Sequence, residues 1–155
     1  MKLTKDCGVS PFKNSIVERP WGHYGLYADN EVCTSKILYV KQNEMLSMQY
    51  HFKRDQYYLI LDDGFIVDYS EIPVPEELLY DDDEERRIKG FENFLIANLI
   101  TTAANEGDEF GFHRRVIHRV KYIGLQERGR ILDMAFGEND ENDIVRIKDK
   151  YGRNN

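Results

Sequence analysis

The stretch Ser47–Tyr58, SMQYHFKRDQYY, decides how the rest of the sequence is interpreted. Read with the period of two that a β-strand imposes, it puts apolar side chains on one face and polar side chains on the other. The apolar face holds Met48, Tyr50 and Phe52, and the polar face holds Gln49, His51 and Lys53. In an ordinary sheet such a polar face meets solvent, whereas in a small barrel it lines the interior and forms a site. The residues alone leave both interpretations open.

The composition is that of one globular domain. The chain has 155 residues, of which 41% are hydrophobic and 12% aromatic, which is enough to build a core. Its formal net charge of -7 argues against a broad nucleic-acid-binding face. No apolar run reaches the roughly 20 residues of a membrane span, and the first residues lack the apolar core of a signal peptide. With two cysteines, Cys7 and Cys33, and no CxxC pair, the sequence predicts a protein of the reducing cytoplasm that contacts neither nucleic acid nor membrane.

Strand-like runs fill most of the middle of the chain. They are TSKILYV (34–40), MLSMQYHF (45–52), QYYLILDDGFIVDYS (56–70), FLIANLITTA (94–103), EFGFHRRVIHRVKYIG (109–124) and GRILDMAF (129–136). Within the third run, Asp62-Asp63-Gly64 predicts a hairpin, because Gly accepts a positive φ. Many short strands with little helix predict an all-β sandwich or closed barrel.

Two segments stand apart from this pattern. Residues 1–17 are polar and are interpreted as an N-terminal arm that precedes a single domain over residues 18–153. Pro73 and Pro75 end the strand pattern. The charged segment 71–93 is therefore interpreted as a surface insertion, a loop with a short helix.

Two histidines and a group of arginines are the candidates for chemistry. His51 and His118 lie in separate strand-like runs, and their separation along the chain says nothing about their distance in the fold. The RRVIHRV stretch (114–120) places arginines on both sides of His118. The planar guanidinium group matches phosphate oxygens, which favours an anion site. The alternative is a charged edge strand that discourages pairing with other chains, and the residues do not decide between the two.

Four motifs occur in the order in which one family carries them. They are ERPWG (18–22), LSMQYH (46–51), IHRV (117–120) after an EGDEF turn, and DIVRIKDKYGR (143–153). Together they resemble the cupin domain of type II mannose-6-phosphate isomerases, which is also the C-terminal part of bifunctional enzymes with mannose-1-phosphate guanylyltransferase activity. The resemblance covers nearly the whole chain from Glu18 to Arg153. It implies an all-β double-stranded β-helix, or jelly-roll barrel, that forms a homodimer and directs Gln49, His51 and Lys53 into its lumen.

The resemblance also implies a metal site, from which this chain departs. His51 and His118 match two histidine ligands of cupins, Lys53 occupies the position of another histidine, and Gln56 occupies that of the glutamate. Gln49 falls where isomerases of this kind often have a Gln near the metal. An ammonium group has no lone pair and repels a cation, and an amide is a weak ligand. We therefore expect a divalent metal such as zinc to bind poorly, through Gln49, His51, Gln56 and His118 where it binds.

The resemblance implies one of two functions. The first is a mannose-6-phosphate isomerase-like activity that interconverts a phosphorylated aldose and ketose in the metabolism of GDP-mannose precursors. Lys53 would stabilise the developing oxyanion, and His51 or His118 would serve as the base. The phosphate would be held by Arg115, Arg119 and Arg146. The alternative is a non-catalytic or accessory cupin that binds a sugar phosphate and has a degenerate metal site.

Overall fold

The computed structural model describes residues 15–30, 32–138 and 140–153, which form two antiparallel sheets. The strands are β1 (Ser15–Arg19), β2 (Gly22–Asp29), β3 (Cys33–Lys41), β4 (Met48–His51), β5 (Arg54–Ile60), β6 (Phe65–Ser70), β7 (Leu99–Ala104), β8 (Glu109–Phe112), β9 (His118–Tyr122), β10 (Arg128–Gly137) and β11 (Ile144–Lys148). One sheet has the order β1-β2-β3-β10-β5-β8, and the other has the order β11-β4-β9-β6-β7. Strands distant in sequence are neighbours in both sheets, as in a jelly roll. The predicted all-β jelly roll is therefore confirmed.

The space between the two sheets is apolar at one end and polar at the other. Along β5, the buried inward positions begin with Arg54 and Gln56 and end with Tyr58 and Ile60. The apolar end is closed by a cluster of buried side chains that includes Val40, Ile60, Phe65, Val67, Val120, Tyr122 and Ile131. Burying these side chains supplies a large part of the stability of the barrel. Polar groups can therefore be concentrated at the other end, where the candidate site lies.

Helices cover the outer face of the five-stranded sheet. A short helix, α1 (Glu76–Leu79), precedes a 15-residue helix, α2 (Glu84–Asn98). Asp83 caps α2, since its side chain accepts a hydrogen bond of 3.0 Å from the main-chain N–H of Arg86. The buried cluster under α2 consists of Met48, Tyr50, Val74, Phe94, Leu95 and Ile117. The apolar face of β4 is thus buried outside the barrel, as its polar face turns inward. In the part of the chain that is described, neither helix is long and apolar enough to cross a membrane.

Two expectations about local structure are wrong. Helix α2 continues to Asn98, so the first half of the run 94–103 is helical; an apolar run of this length fits a buried helix face as well as a strand. The turn at Asp62-Asp63-Gly64 does not close a hairpin, because β5 and β6 belong to different sheets. Gly64 does adopt the expected positive φ of 95°. A positive φ therefore does not distinguish a hairpin from a turn that connects two sheets.

The boundaries of the predicted segments shift by a few residues. Residues 1–14 of the expected arm lie outside the described ranges, and Ser15–Val17 belong to β1. The expected insertion at 71–93 contains α1 and the first two thirds of α2. It lies on the outside of the barrel, where it buries the sheet.

Candidate functional site

A group of buried polar side chains projects into the polar end of the barrel. They are Gln49 and His51 from β4, Arg54 and Gln56 from β5, His118 from β9 and Asp133 from β10. Their exposed fractions range from 1% for His118 to 8% for Gln49 and Asp133. Gln49 faces His118 in the ladder between β4 and β9. The two imidazole rings, distant in sequence, therefore meet with their centroids 5.4 Å apart.

Gln56 is the centre of this group. Its Oε1 atom lies 2.9 Å from Nε2 of His118 and 3.0 Å from Nε2 of His51. Its amide nitrogen donates a hydrogen bond of 2.8 Å to Oδ1 of Asp133. A carboxylate can only accept, so Asp133 fixes the amide with its oxygen directed at the two histidines.

Both histidines are neutral at physiological pH. Burial lowers the pKa of His51 to about 2, with further lowering by His118 and by the positive charge of Arg54. Burial likewise lowers the pKa of His118 to about 4, and Arg54 again contributes. A buried imidazolium beside a guanidinium is unfavourable, so each ring carries one proton.

The position of that proton leaves the cluster short of hydrogen-bond donors. Nδ1 of His118 lies 3.0 Å from the carbonyl oxygen of Val116, which can only accept, so the proton of His118 is on Nδ1. Its Nε2 atom then has a lone pair that faces the oxygen of Gln56. His51 can donate to Gln56 from its own Nε2, but Nε2 of His118 and Nδ1 of His51 are then both without a donor among the described residues. A ligand hydroxyl group that reaches the cluster would supply one.

The same cluster does not fit a tightly held divalent metal. It offers two imidazole nitrogens and one amide oxygen, and none of these groups carries a negative charge. The guanidinium of Arg54 is close enough to lower both histidine pKa values, and it would repel a cation as well. Gln49, also expected as a ligand, has its Oε1 engaged by the hydroxyl of Ser47 at 2.6 Å. No metal enters the function proposed below.

A cavity of about 90 Å³ leads from this cluster to the mouth of the barrel, and its wall is basic. The basic residues that line it are Arg19, Lys36, Arg54, Arg146 and Arg153, against one acidic residue, Asp133. Trp21 and Tyr24 add aromatic surface. The ring of Tyr24 contacts two of the cations, with Lys36 Nζ 4.9 Å and Arg19 Cζ 5.3 Å from its centroid. A protein of net charge -7 thus concentrates positive charge in one small cavity.

The structure does not place Lys53 in the lumen. Strand β4 ends at His51, and Phe52 and Lys53 form the turn to β5. The ammonium group of Lys53 lies on the outside, where it contacts Glu138 at 3.0 Å and Asp140 at 3.3 Å. The period of two restarts after the turn, so the next inward side chain is Arg54. Lys53 is therefore in no position to stabilise an oxyanion beside His51.

Two of the three expected phosphate-binding arginines also lie outside the barrel. Arg115 is bound to Glu76 at 3.0 Å, next to α1. Arg119 alternates with the inward-facing His118, and its Nε donates to Asp68 at 2.8 Å. Arg146 does line the basic cavity. The expected sites at Gln49, His51, Gln56 and His118 are together in the lumen.

Sequence reasoning missed Arg54 and Asp133. Both had a signal in the pattern. Arg54 lies two residues before Gln56 and so shares its face of the strand, and Asp133 shares the inward face of its strand with the buried Ile131 and Ala135 in the run GRILDMAF. A charged residue at an inward position of a strand marks either an error in the pattern or a site.

The comparisons with known proteins agree with this geometry. Residues 11–79 match the model of the family described as Mannose-6-phosphate isomerase C-terminal. No curated protein sequence matches the chain. Solved structures resemble it at very low identity. The capsular polysaccharide assembling protein CapF from Staphylococcus aureus superimposes with a TM-score of 0.58 and 11% identity, over 85% of this chain and 32% of that chain. The chain thus spans about a third of the length of CapF.

Two further structures match over most of both chains. KdgF from Halomonas sp. has a TM-score of 0.56 and 10% identity, over 83% of this chain and 90% of that chain. An RmlC-like cupin from Shewanella frigidimarina has a TM-score of 0.56 and 12% identity, over 84% of this chain and 88% of that chain. Likeness at such identities establishes the fold and nothing more. The chain therefore has the cupin fold, and its residues 11–79 match the model of the mannose-6-phosphate isomerase C-terminal family.

Proposed function

We propose that the barrel binds a phosphorylated sugar, with the phosphate on the basic wall of the cavity and a hydroxyl group on the His51–Gln56–His118 cluster. The observation that carries this proposal is the pairing of two complementary surfaces in one cavity. A basic wall accepts an anion, and a cluster of acceptor atoms that lacks a donor accepts a hydroxyl group. A sugar phosphate has both groups on one small molecule.

The aromatic lining supports the same ligand. Trp21 and Tyr24 offer flat surface on which the apolar face of a sugar ring can pack. The match to the mannose-6-phosphate isomerase C-terminal family favours a hexose phosphate within this class. Arg54 is the central cation, because it is buried between the cluster and the mouth and is 4% exposed.

Trp21 provides a direct test of binding. It is the one tryptophan of the sequence and it lines the cavity, so its fluorescence reports occupancy. We expect saturable changes with mannose 6-phosphate, and weaker ones with mannose or inorganic phosphate alone, because each of these offers one of the two groups. Equal affinity for phosphate and for the sugar phosphate would contradict a role of the His–Gln cluster. No binding of any hexose phosphate at millimolar concentration would refute the proposal.

Aldose–ketose isomerisation is the second candidate. Its support is the unprotonated Nε2 of His118, which adjoins Gln56 of the cavity wall and would accept a proton from carbon. Against it, a group whose pKa is lowered to about 4 is a weak base. We therefore favour ligand binding without turnover, and isomerisation requires a separate test.

Proton exchange at C2 of mannose 6-phosphate in D₂O, followed by NMR, is that test. It detects deprotonation even when the net conversion to fructose 6-phosphate is slow. Exchange that disappears in His118→Gln while mannose 6-phosphate still binds would establish the isomerase. Binding without exchange leaves an accessory, sugar-phosphate-binding cupin. The homodimer expected from the resemblance stays a prediction, which analytical ultracentrifugation tests.

A further inference from the structure

The carboxylate of Asp143 holds the turn between β4 and β5. Its Oδ1 accepts a hydrogen bond of 3.0 Å from the main-chain N–H of Phe52, and its Oδ2 accepts one of 3.0 Å from that of Lys53. Asp143 is 5% exposed, and it is the last residue of a short 3-10 helix, Glu141–Asp143. A buried carboxylate with both oxygens on consecutive amides of one turn fixes the turn in two directions.

This turn carries two groups of the binding site. The residue before it is His51, and the residue after it is Arg54. Both side chains are buried inside the barrel, and Arg54 lines the cavity, whereas Phe52 and Lys53 lie outside it. Any shift of the turn therefore moves an acceptor and a cation of the site at once.

Asp143 also connects this turn to the strand that carries Arg146. It directly precedes β11, whose first residue, Ile144, is paired with His51, and Arg146 is paired with Gln49 two positions on. One carboxylate thus sets the spacing between β11 and the start of β5. Sites that recognise a ligand at two points depend on such spacing, because a displacement of about 1 Å loses most of the gain from binding both groups.

We propose that Asp143 is a positioning residue for ligand binding, which sets where His51, Arg54 and Arg146 stand relative to one another. This inference rests on the proposed function for its ligand. Asp143 itself does not touch the ligand. An amide at this position has one acceptor oxygen and would direct its NH₂ group at one of the two main-chain N–H groups. Asp143→Asn therefore loses one of the two hydrogen bonds that hold the turn.

The experiment compares Asp143→Asn with Asp62→Asn. Asp62 is a matched control, because it is also buried and accepts a main-chain hydrogen bond, of 2.8 Å from Arg130, at the far end of β5. The affinity of the folded protein for mannose 6-phosphate is measured by Trp21 fluorescence, and stability by urea unfolding. We expect Asp143→Asn to weaken binding about tenfold. Asp62→Asn should lose stability and keep its affinity within about twofold, since it is remote from the site. Wild-type affinity in folded Asp143→Asn, or an equal loss in Asp62→Asn, would overturn the inference.

A second readout does not depend on any ligand. The ¹⁵N resonances of the His51 imidazole report its tautomer and hydrogen bonding, which a loss of stability alone does not change. They should shift in Asp143→Asn and stay in place in Asp62→Asn. If wild-type protein binds no sugar phosphate, the proposed function fails while this measurement still decides the role of Asp143. Should Asp143→Asn not fold, Asp143→Glu keeps both oxygens but displaces them by one methylene, and the same shift of His51 is expected.

Discussion

The two faces of strand β4 have different roles. The outer face, with Met48 and Tyr50, is apolar and is sealed under α2. The inner face, with Gln49 and His51, is polar and buried inside the barrel, where Gln49 lines the cavity. In most half-buried strands the apolar face turns toward the middle of the fold and the polar face toward water. Here the addition of a helix lets the strand bury both faces, one for stability and one for binding.

The outer face of β4 is expected to contribute mainly to the stability of the fold, and the inner face mainly to ligand binding. Removing apolar side chains under α2 should reduce stability and leave the site intact. Removing polar side chains of the lumen should reduce ligand binding and lower stability by a smaller amount, about 1–3 kcal/mol for a buried partner left without its hydrogen bond. Each prediction below tests one side of that division.

Phe94→Ala should have the largest effect on stability. Phe94 is buried in the cluster between α2 and the sheet, and truncating such a side chain typically lowers the free energy of unfolding by about 3–5 kcal/mol. Urea unfolding measures the loss. Ile96→Ala is the control, because Ile96 is on the same helix but is 84% exposed, and it should change stability by less than about 0.5 kcal/mol. A loss of sugar-phosphate affinity in folded Phe94→Ala would break the division between the faces.

Acid should destabilise the protein through the lumen. His118 has a pKa of about 4 when folded, against 6.5 in the unfolded chain, so between these values the unfolded state binds the extra proton. Stability is therefore complete above pH 6.5 and is lost as the pH falls, by about 3 kcal/mol down to pH 4. The variant His118→Gln should show a flatter pH dependence of the free energy of unfolding. An unchanged slope would mean that folding does not lower the pKa of His118.

Arg54→Gln should weaken binding of a sugar phosphate about 100-fold, since a charge-assisted hydrogen bond to phosphate contributes about 2–3 kcal/mol. The adjacent Lys53 has the same charge but is outside the barrel, paired with Glu138 and Asp140. Lys53→Gln should therefore change affinity by about twofold or less. Fluorescence titration of both variants decides which cation belongs to the site. A larger effect from Lys53 would restore the lumen position first expected for it.

Divalent metal should have the smallest effect. The convergent donors are uncharged and lie beside Arg54, so treatment with a chelator should leave affinity for mannose 6-phosphate within about twofold. Adding zinc back should not raise it. Tight, stoichiometric zinc with a gain in affinity would show that the two histidines overcome the charge of Arg54.

The sequence predicted the barrel and the inward row on β4, because alternation over Met48–His51 is unambiguous once a barrel is assumed. It could not predict that the strand stops at His51. The turn at Phe52 and Lys53 shifts the alternation by one position, so a strand pattern continued past His51 places Lys53 inward and Arg54 outward. The helical character of Phe94–Asn98 was also hidden, since a run of apolar residues fits a strand and a buried helix face equally.

The interleaving of strands has a consequence for fragments of this chain. Residues 11–79, the part that matches the family model, end before β7. A polypeptide cut there would lack β10, which separates β3 from β5, and β9, which separates β4 from β6. We therefore expect it not to fold by itself. It would also lack His118, Asp133 and Arg146, so the segment that matches the family model does not contain the whole candidate site.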